Sequence, residues 1–591
     1  MQHRKIPRRS IYAASALAVL AVAACSSTSS TSSTAPPATS TSSAPAPAGS
    51  TTSPSASTTM GTQPLVVETA ELSPLTKNFN PLTAAASTGW NLHATDLIYE
   101  PLFLFNLMQP TQDPVPMLAT KADWSADGKT LTLTTRSGVN WSDGKPFSAA
   151  DVAFTFNLIK KYAATADVNG TPTVSSATAT GPNTVQLTFP TAEAGNMYAI
   201  GSQQIVPQHV WQSVGDPGKY ADANPVGTGP YTVSDFSPQK ITLKYNPQYW
   251  NVASIHVPEV IFPGYATGTS PAAVESGEVS WAGNNIANVQ NVFVAKDPAH
   301  NHLWLPSAPY MAANNVVTMW FNTTKAPLND PKVRQAISYA VNRQQLATQG
   351  EAGYEAPATS SSGLVLPASQ PLVSSQYAND LPATGDPAKA ASILKSDGWT
   401  KSGGKWMKNG QTLKFSLKDP SDFTDYYTDI KLIATQLNAQ GFDVTAVGEP
   451  GGYAPWNTDV QNGNFDVVLH WSAGSLPYTN FQQWMDSGAT APLGTAASGN
   501  WGRFKSPAAQ TALAALAAAT SLDAQKAAVG SLQQIMATEV PEAPVLYGAL
   551  WAEWSTKDYV GWPSPSNAYA DPGPSNNQDV EMVILHLTPA S

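Results

Sequence analysis

The sequence predicts an α/β protein built from two lobes, and three observations carry that expectation. Strand and helix patterns alternate through the C-terminal half, which is the signature of an α/β layer. About 530 residues follow a low-complexity N-terminus, well beyond what one hydrophobic core organises. Residues 131–159 hold a strand, a turn and a helix start in immediate succession.

The chain opens with Arg4, Lys5, Arg8 and Arg9, followed by an apolar, small-residue run over 11–24. That pattern is an export signal spanning 1–24, too short to serve as a permanent membrane span. Val22, Ala23, Ala24 and Cys25 close it in the manner of a lipobox, and Cys25 is the single cysteine of the chain. Lipidation at Cys25 is therefore expected, with the globule held on the outer face of the cell membrane. The Arg8 and Arg9 pair leaves the Sec and Tat export routes both open. Residues 25–62 are almost wholly Ser, Thr, Ala, Pro and Gly, too poor in apolar surface to offset the entropy of ordering, and read as a tether.

Composition narrows the function classes. Removing the four basic residues of the leader takes the formal charge from −10 to −14, which argues against nucleic-acid binding. With no cysteine beyond Cys25, the globule relies on burial rather than disulfides. Its 17 tryptophans matter for what it binds.

The strand over 66–70 breaks into a loop at Phe79, Asn80 and Pro81, and a helix is expected from Trp90. In the central stretch, Leu131 and Leu133 alternate with threonines at period two, as in a half-buried strand. Asp143 and Gly144 supply turn chemistry. Ser148, with Asp151 three residues on, predicts a capped helix whose buried face is Val152, Phe156 and Ile159. A further strand is expected over 185–189, and the stretch ITLKYNPQYW follows over 241–250. Between them Gly227 and Gly229 predict a tight chain crossing with special φ angles.

The block GVNWSDGKPFSAADVAFTF over 138–156 closely resembles the signature of family 5 extracytoplasmic solute-binding proteins, the receptors of ABC importers for peptides, nickel and some oligosaccharides. The motif PVGTGPY over 225–231 resembles the same family. The resemblance implies a bilobed periplasmic-binding-protein-like fold of type II, in the large cluster C form, with discontinuous lobes and an extra subdomain. Lobe I would comprise 63–97, 226–315 and 541–591, the extra subdomain 98–225, and lobe II 316–540. It implies no enzyme activity, no cofactor and a monomer whose partners are a small oligomeric solute and the permease subunits of the transporter.

The stretch over 260–306 looks like the oligosaccharide-binding branch, through Trp281, Ala282, Gly283 and Asn284 and the run from Phe293 to Pro298. His300 and His302 lack an acidic or cysteine partner nearby in sequence, so a surface loop is expected there and no metal site.

In the C-terminal half, Asp330 and Pro331 start a helix whose stripe is Val333, Ala336, Ile337, Ala340 and Val341. Asp386 and Pro387 start another, ended at Gly398. Ile430, Ile433, Ala434 and Leu437 form a third, stopped at Gly441 and followed by a strand over 442–447. Two Ala-rich helices over 507–520 and 522–540 precede expected strands over 544–554 and 583–587.

Ligand class turns on 465–484. Peptide-binding relatives place an aspartate three residues after the tryptophan to pair with the α-ammonium, whereas Trp471 here is followed at that position by Gly474. A buried ammonium without a counter-charge carries a desolvation penalty of several kcal/mol. A neutral sugar needs no such charge; it needs flat rings and amide partners. Trp90, Trp281, Trp471 and Trp484, with Asn284, Asn285, Gly474 and Tyr478, are the expected ligand contacts. An oligosaccharide is the favoured solute. An oligopeptide is the alternative, with Asp486 or Glu553 replacing the missing acid. A secreted glycoside hydrolase is the remote alternative, and no carboxylate pair stands out for it.

Overall fold

A computed structural model describes residues 59–83, 93–166, 170–574 and 579–591. The export signal, Cys25, most of the tether and Trp90 lie outside the described residues.

Lobe I begins with strand β1 (Leu65–Glu68). The extra subdomain is a four-stranded sheet of β2 (Ala119–Trp124), β3 (Thr130–Thr135), β4 (Ser176–Gly181) and β5 (Thr184–Thr188), in the order β2, β3, β5, β4. Leu131 and Leu133 alternate inward as the period-two pattern predicts, both fully buried. Helix α1 (Ala149–Lys161) covers that sheet and starts at a complete capping box between Ser148 and Asp151. The other Asp151 oxygen accepts the Gln208 N–H at 2.9 Å, so this buried carboxylate is satisfied on both sides.

The glycine crossing differs from expectation in its cause. Neither Gly227 nor Gly229 takes a positive φ. A Cβ on Gly227 would lie 1.8 Å from the Ile98 carbonyl oxygen, and one on Gly229 would lie 2.5 Å from that of Leu97. Close backbone approach, sealed by the Gly229 N–H donating to Ile98 at 2.9 Å, is what requires glycine here.

The chain then returns to lobe I through β6 (Tyr231–Ser237), β7 (Lys240–Tyr245), β8 (Glu259–Pro263), β9 (Trp281–Ala282) and β10 (Asn301–His302). It crosses into lobe II at β11 (Ala312–Phe321). There α2 (Pro331–Ala340), capped by Asp330, buries the predicted stripe. The lobe continues through β12 (Ala356–Pro357), α3 (Pro387–Ser396), β13 (Lys414–Pro420), α4 (Thr424–Ala439), β14 (Asp443–Glu449), α5 (Tyr453–Asn462), β15 (Val467–Trp471), α6 (Pro477–Met485), α7 (Pro507–Ala517) and α8 (Leu522–Thr538).

The expected strand over 544–554 is two strands in two sheets. Strand β16 (Glu542–Leu550) pairs antiparallel with β11 in lobe II, whereas β17 (Glu553–Ser555) pairs with β9 in lobe I. Between these two strands, at Trp551 and Ala552, the chain passes from one sheet to the other. The lobe I sheet runs β10, β17, β9, β1, β8, β7, β6, and the lobe II sheet runs β12, β16, β11, β15, β13, β14. The expected strand over 583–587 is instead the end of a helix, Asp579–Ile584. Val580, Val583, Ile584 and Leu587 recur at helical spacing and are all fully buried, so packing on one face overrides their preference for strands.

Candidate functional site

Strands β13, β14 and β15 run parallel, so their carboxyl ends, at Pro420, Glu449 and Trp471, meet at one edge of the lobe II sheet. Such an edge is where open α/β sheets place ligands. The chain leaving β13 supplies Phe423, α5 supplies Tyr453, and β15 ends on Trp471. These three rings are half-buried and nearly parallel. Phe423 and Tyr453 are 6.2 Å apart at 15°, Phe423 and Trp471 6.4 Å at 27°, and Tyr453 and Trp471 6.4 Å at 18°. Buried rings hold the trio from behind: His470 lies 4.0 Å from Trp471, and Trp456 and Trp501 lie 5.1 and 5.2 Å from His470. Burial pushes His470 down to about 3, so it packs as a neutral ring.

Beside the trio, five carboxyl groups converge from three segments: Glu351 and Glu355 from the loop before β12, Asp419 from the end of β13, and Asp425 and Asp429 from α4. Tyr426, 5.9 Å from Trp471, stands between the rings and these acids. Burial, then mutual repulsion, raises Glu351 and Asp419 well above the ordinary carboxylate range. Among the described residues no ion pair reaches any of the five.

The edge lies between a hinge and a mouth. On the hinge side Glu355 accepts the Ala549 N–H at 3.1 Å. There Tyr354 packs on Trp551 at 4.9 Å and donates to Gln290 of lobe I at 2.7 Å. On the mouth side Ser475 donates to the Leu107 carbonyl at 3.2 Å, tying lobe II to the extra subdomain. Gly195 of that subdomain lies against the end of α7, where a Cβ would be 2.4 Å from the Leu516 carbonyl oxygen.

The expected ligand residues divide sharply. Trp471 stands in the trio. Gly474 follows it at φ +88°, its carbonyl accepting from the Asn480 amide at 2.8 Å, with open space where a side chain would project. Tyr478, on α6, is half-buried against the α6 core.

The other expected tryptophans are core residues. Trp281 is fully buried, donates to the Pro572 carbonyl at 2.8 Å and meets Trp562 edge-on at 5.3 Å. Trp484 is fully buried in the core that α6 forms with α7 and α8. A sequence shows where a tryptophan is, not which face of its sheet or helix is covered.

Asn284 is committed inside lobe I, donating to Glu68 at 2.8 Å and to Ser270, while Asn285 is half-buried. Asp486 caps a short turn, accepting from Gly488 at 2.8 Å, and Glu553 is fully buried in lobe I. His300 pairs with Asp297 at 2.9 Å on the surface, and no group of three His, Cys, Asp or Glu among the described residues is placed to hold a metal ion. Phe423, Tyr453 and the five acids were not singled out from sequence. For Phe423, Asp419, Asp425 and Asp429 the signal is the aromatic and acidic density over 419–429, whereas Glu351, Glu355 and Tyr453 stand outside it.

The chain matches the bacterial extracellular solute-binding proteins, family 5, over residues 113–492. It is 27% identical over 423 residues to the nickel-binding periplasmic protein of Escherichia coli, covering 68% of this chain and 74% of that one. It is 28% identical to the dipeptide-binding protein of the same organism, over 57% of this chain and 64% of the relative. It spans about half the length of the glutathione-binding protein of Salmonella typhi, at 31% identity. Among solved structures, the periplasmic oligopeptide-binding protein of Thermotoga maritima superposes with a TM-score of 0.74 at 24% identity, covering 89% of this chain and 99% of that one. A family match over more than half of the chain, together with this fold, makes the protein an extracytoplasmic family 5 solute-binding protein, the substrate receptor of an ABC importer rather than an enzyme.

Proposed function

We propose that the receptor captures an oligomeric solute between its lobes, laid across Phe423, Tyr453 and Trp471, and delivers it to its permease while lipidated Cys25 keeps it at the membrane. The observation that carries this reading is the nearly parallel, half-exposed ring trio at the carboxyl edge of the lobe II sheet. Flat rings accept the C–H faces of successive sugar units, and Tyr453 and Trp471 add a polar handle at their edges. An oligosaccharide is the solute the trio supports, and a structural neighbour from Thermotoga maritima is mannohexaose-bound. The oligopeptide reading is favoured by a different observation, the buried acids beside the trio, and by the dipeptide-binding relative.

Binding does its work through closure. A solute that touches both lobes stabilises the closed form by its differential affinity and shifts the population towards it. No covalent step is needed.

The test is a thermal-shift screen of the mature chain against β-linked gluco-oligosaccharides and di- to pentapeptides, repeated with Trp471→Ala. A ligand at about one hundred times its Kd adds about 2.7 kcal/mol of stability, and Trp471→Ala should weaken binding roughly tenfold, about 1.4 kcal/mol. A ligand whose affinity ignores Trp471→Ala would remove the trio from the site.

A further inference from the structure

The chain passes between the two large sheets before β11 and after β16, and beside these passages a further connection is made by a side chain alone. Tyr354 stands in the lobe II loop before β12, yet it is only 8% exposed and packs in one hydrophobic cluster with Ile286, Val289 and Phe293 of lobe I. Its hydroxyl donates to Gln290 Oε1 at 2.7 Å, and the N–H groups of Asn288 and Val289 approach the same oxygen. Its ring lies 4.9 Å from Trp551 and 5.7 Å from Tyr310, so both passages flank it.

The backbone of the loop is shaped to deliver that ring. Leu346–Gly350 closes as a widened, π-type turn. Ala352 and Gly353 follow with φ of +50° and +85°. A left-handed alanine is unfavourable because its Cβ crowds the following carbonyl, and such residues persist only where their surroundings hold them. The reversal carries Tyr354 out of lobe II and brings the chain back at Glu355, which the Ala549 N–H fixes at 3.1 Å. The loop therefore faces two ways. Glu351 and Glu355 lie beside Tyr426 and the ring trio, whereas Tyr354 between them reaches lobe I.

A bond between two moving bodies biases their equilibrium only if one arrangement makes it and the other does not. Here the lobes also meet at the mouth, through Ser475 and Leu107, so the Tyr354 bond is present in the closed arrangement. Resting on the closure reading above, we infer that Tyr354 is a latch, a positioning residue that stabilises the closed form through Gln290 and the backbone at 288–289 without touching solute. Opening draws the Gln290 turn away from the lobe II loop and breaks the bond. The latch sets how much of the receptor is closed before solute arrives, and so scales the apparent affinity for every solute alike.

The test is an inter-lobe distance in the mature chain carrying Cys25→Ser, so that introduced labels are the only thiols. Pulsed electron spin resonance reads it between labels at Lys161→Cys on α1 and Lys526→Cys on α8, both exposed and on elements of opposite sides of the mouth. Tyr354→Phe keeps the ring packing and loses the bonds of the hydroxyl, and Gln290→Ala removes the partner. Each should lengthen the solute-free distances. Each should also raise the Kd for a β-linked glucose pentamer or a tetrapeptide, whichever the parent binds, about three- to tenfold, the size of one hydrogen bond. The double variant should match the single ones, because both remove the same bond. A lowered urea midpoint with parental distances and parental Kd would make Tyr354 packing alone and overturn the latch, and so would additive effects of the two substitutions. Because the distances are read without solute, they decide the latch even where neither probe binds the parent, an outcome that counts against the proposed solutes instead.

Discussion

Each lobe buries carboxyl groups where its strands end near the hinge, and the two lobes treat them differently. In lobe I, Glu68, Ala282 and Glu553 share one row of the sheet, so the two acids flank a single small side chain on the same face. Both are fully buried, and Glu68 accepts from Asn284 at 2.8 Å. In lobe II the acids come from separate segments, Asp425 keeps partial exposure, and half-exposed rings adjoin them. The same division holds for tryptophan: Trp281 is sealed between β1 and β17, while Trp471 ends its strand beside Phe423 and Tyr453. A residue type suited to ligands is structural when every neighbour is already chosen, and a candidate for binding when one side is left open. On the proposed reading, lobe I supplies the frame and lobe II the chemistry.

The largest effect that checks this division is the stability loss from Trp281→Ala. Removing a fully buried indole leaves a cavity, and the cost should be about 3–5 kcal/mol. At a temperature where the variant is still folded, its ligand affinity should stay within about twofold of the parent, in contrast to Trp471→Ala. Urea denaturation and calorimetry measure the two quantities. A tenfold loss of affinity in folded Trp281→Ala would place this ring back in the site.

The second effect tests the sealing of the lobe I acids by pH. Burial, reinforced by Glu71, raises Glu68 from 4.5 to about 8. The folded state thus keeps a proton that the unfolded chain releases, so stability falls as pH rises from about 4.5 to about 8 and is level above that. Glu68→Gln keeps an acceptor for Asn284 and cannot titrate. Its stability relative to the parent should therefore climb across that window by roughly 2–4 kcal/mol, allowing for relaxation around the charge. Denaturation at pH 5 and pH 8 reads the difference. A constant offset between the two proteins would mean that Glu68 ionises normally and the lobe I pair is not sealed.

Much of the frame was legible in the sequence because it rests on local chemistry. The Ser148 and Asp151 capping box, the Asp330 and Pro331 helix start and the stripe from Val333 to Ala340 each follow from side chains a few residues apart. The helix at Asp579–Ile584 misled because a short run of β-branched residues fits either period, and tertiary packing chose the helical one. The site was less legible for a different reason. Trp471 is legible as an aromatic strand end, yet Phe423 and Tyr453 stand 48 and 18 residues away from it and meet it only because three parallel strands end at one edge. The acids depend on still longer connections, with Glu355 held by an N–H 194 residues further on. In a sequence a glycine signals conformational freedom, whereas Gly227 and Gly350 serve by leaving room for a carbonyl and a carboxyl.

The smallest effect tests whether the division between frame and chemistry extends to the mouth, where the extra subdomain touches lobe II. Gly195 meets the end of α7 so closely that a Cβ would lie 2.4 Å from the Leu516 carbonyl oxygen and 3.2 Å from the Ala517 Cα. Both obstacles are backbone in a helix end and cannot turn aside. Gly195→Val should therefore leave each lobe folded and hold the mouth apart, lowering solute affinity by several-fold through loss of the closed form. Gly181→Val, on the same subdomain but with only ordinary contacts around its Cβ position, the nearest at 3.6 Å, is the control. Small-angle scattering with saturating ligand should show Gly195→Val more extended than the control. If the two variants bind and scatter alike, contact at the mouth is incidental to closure, and the lobes close through the hinge and the solute alone.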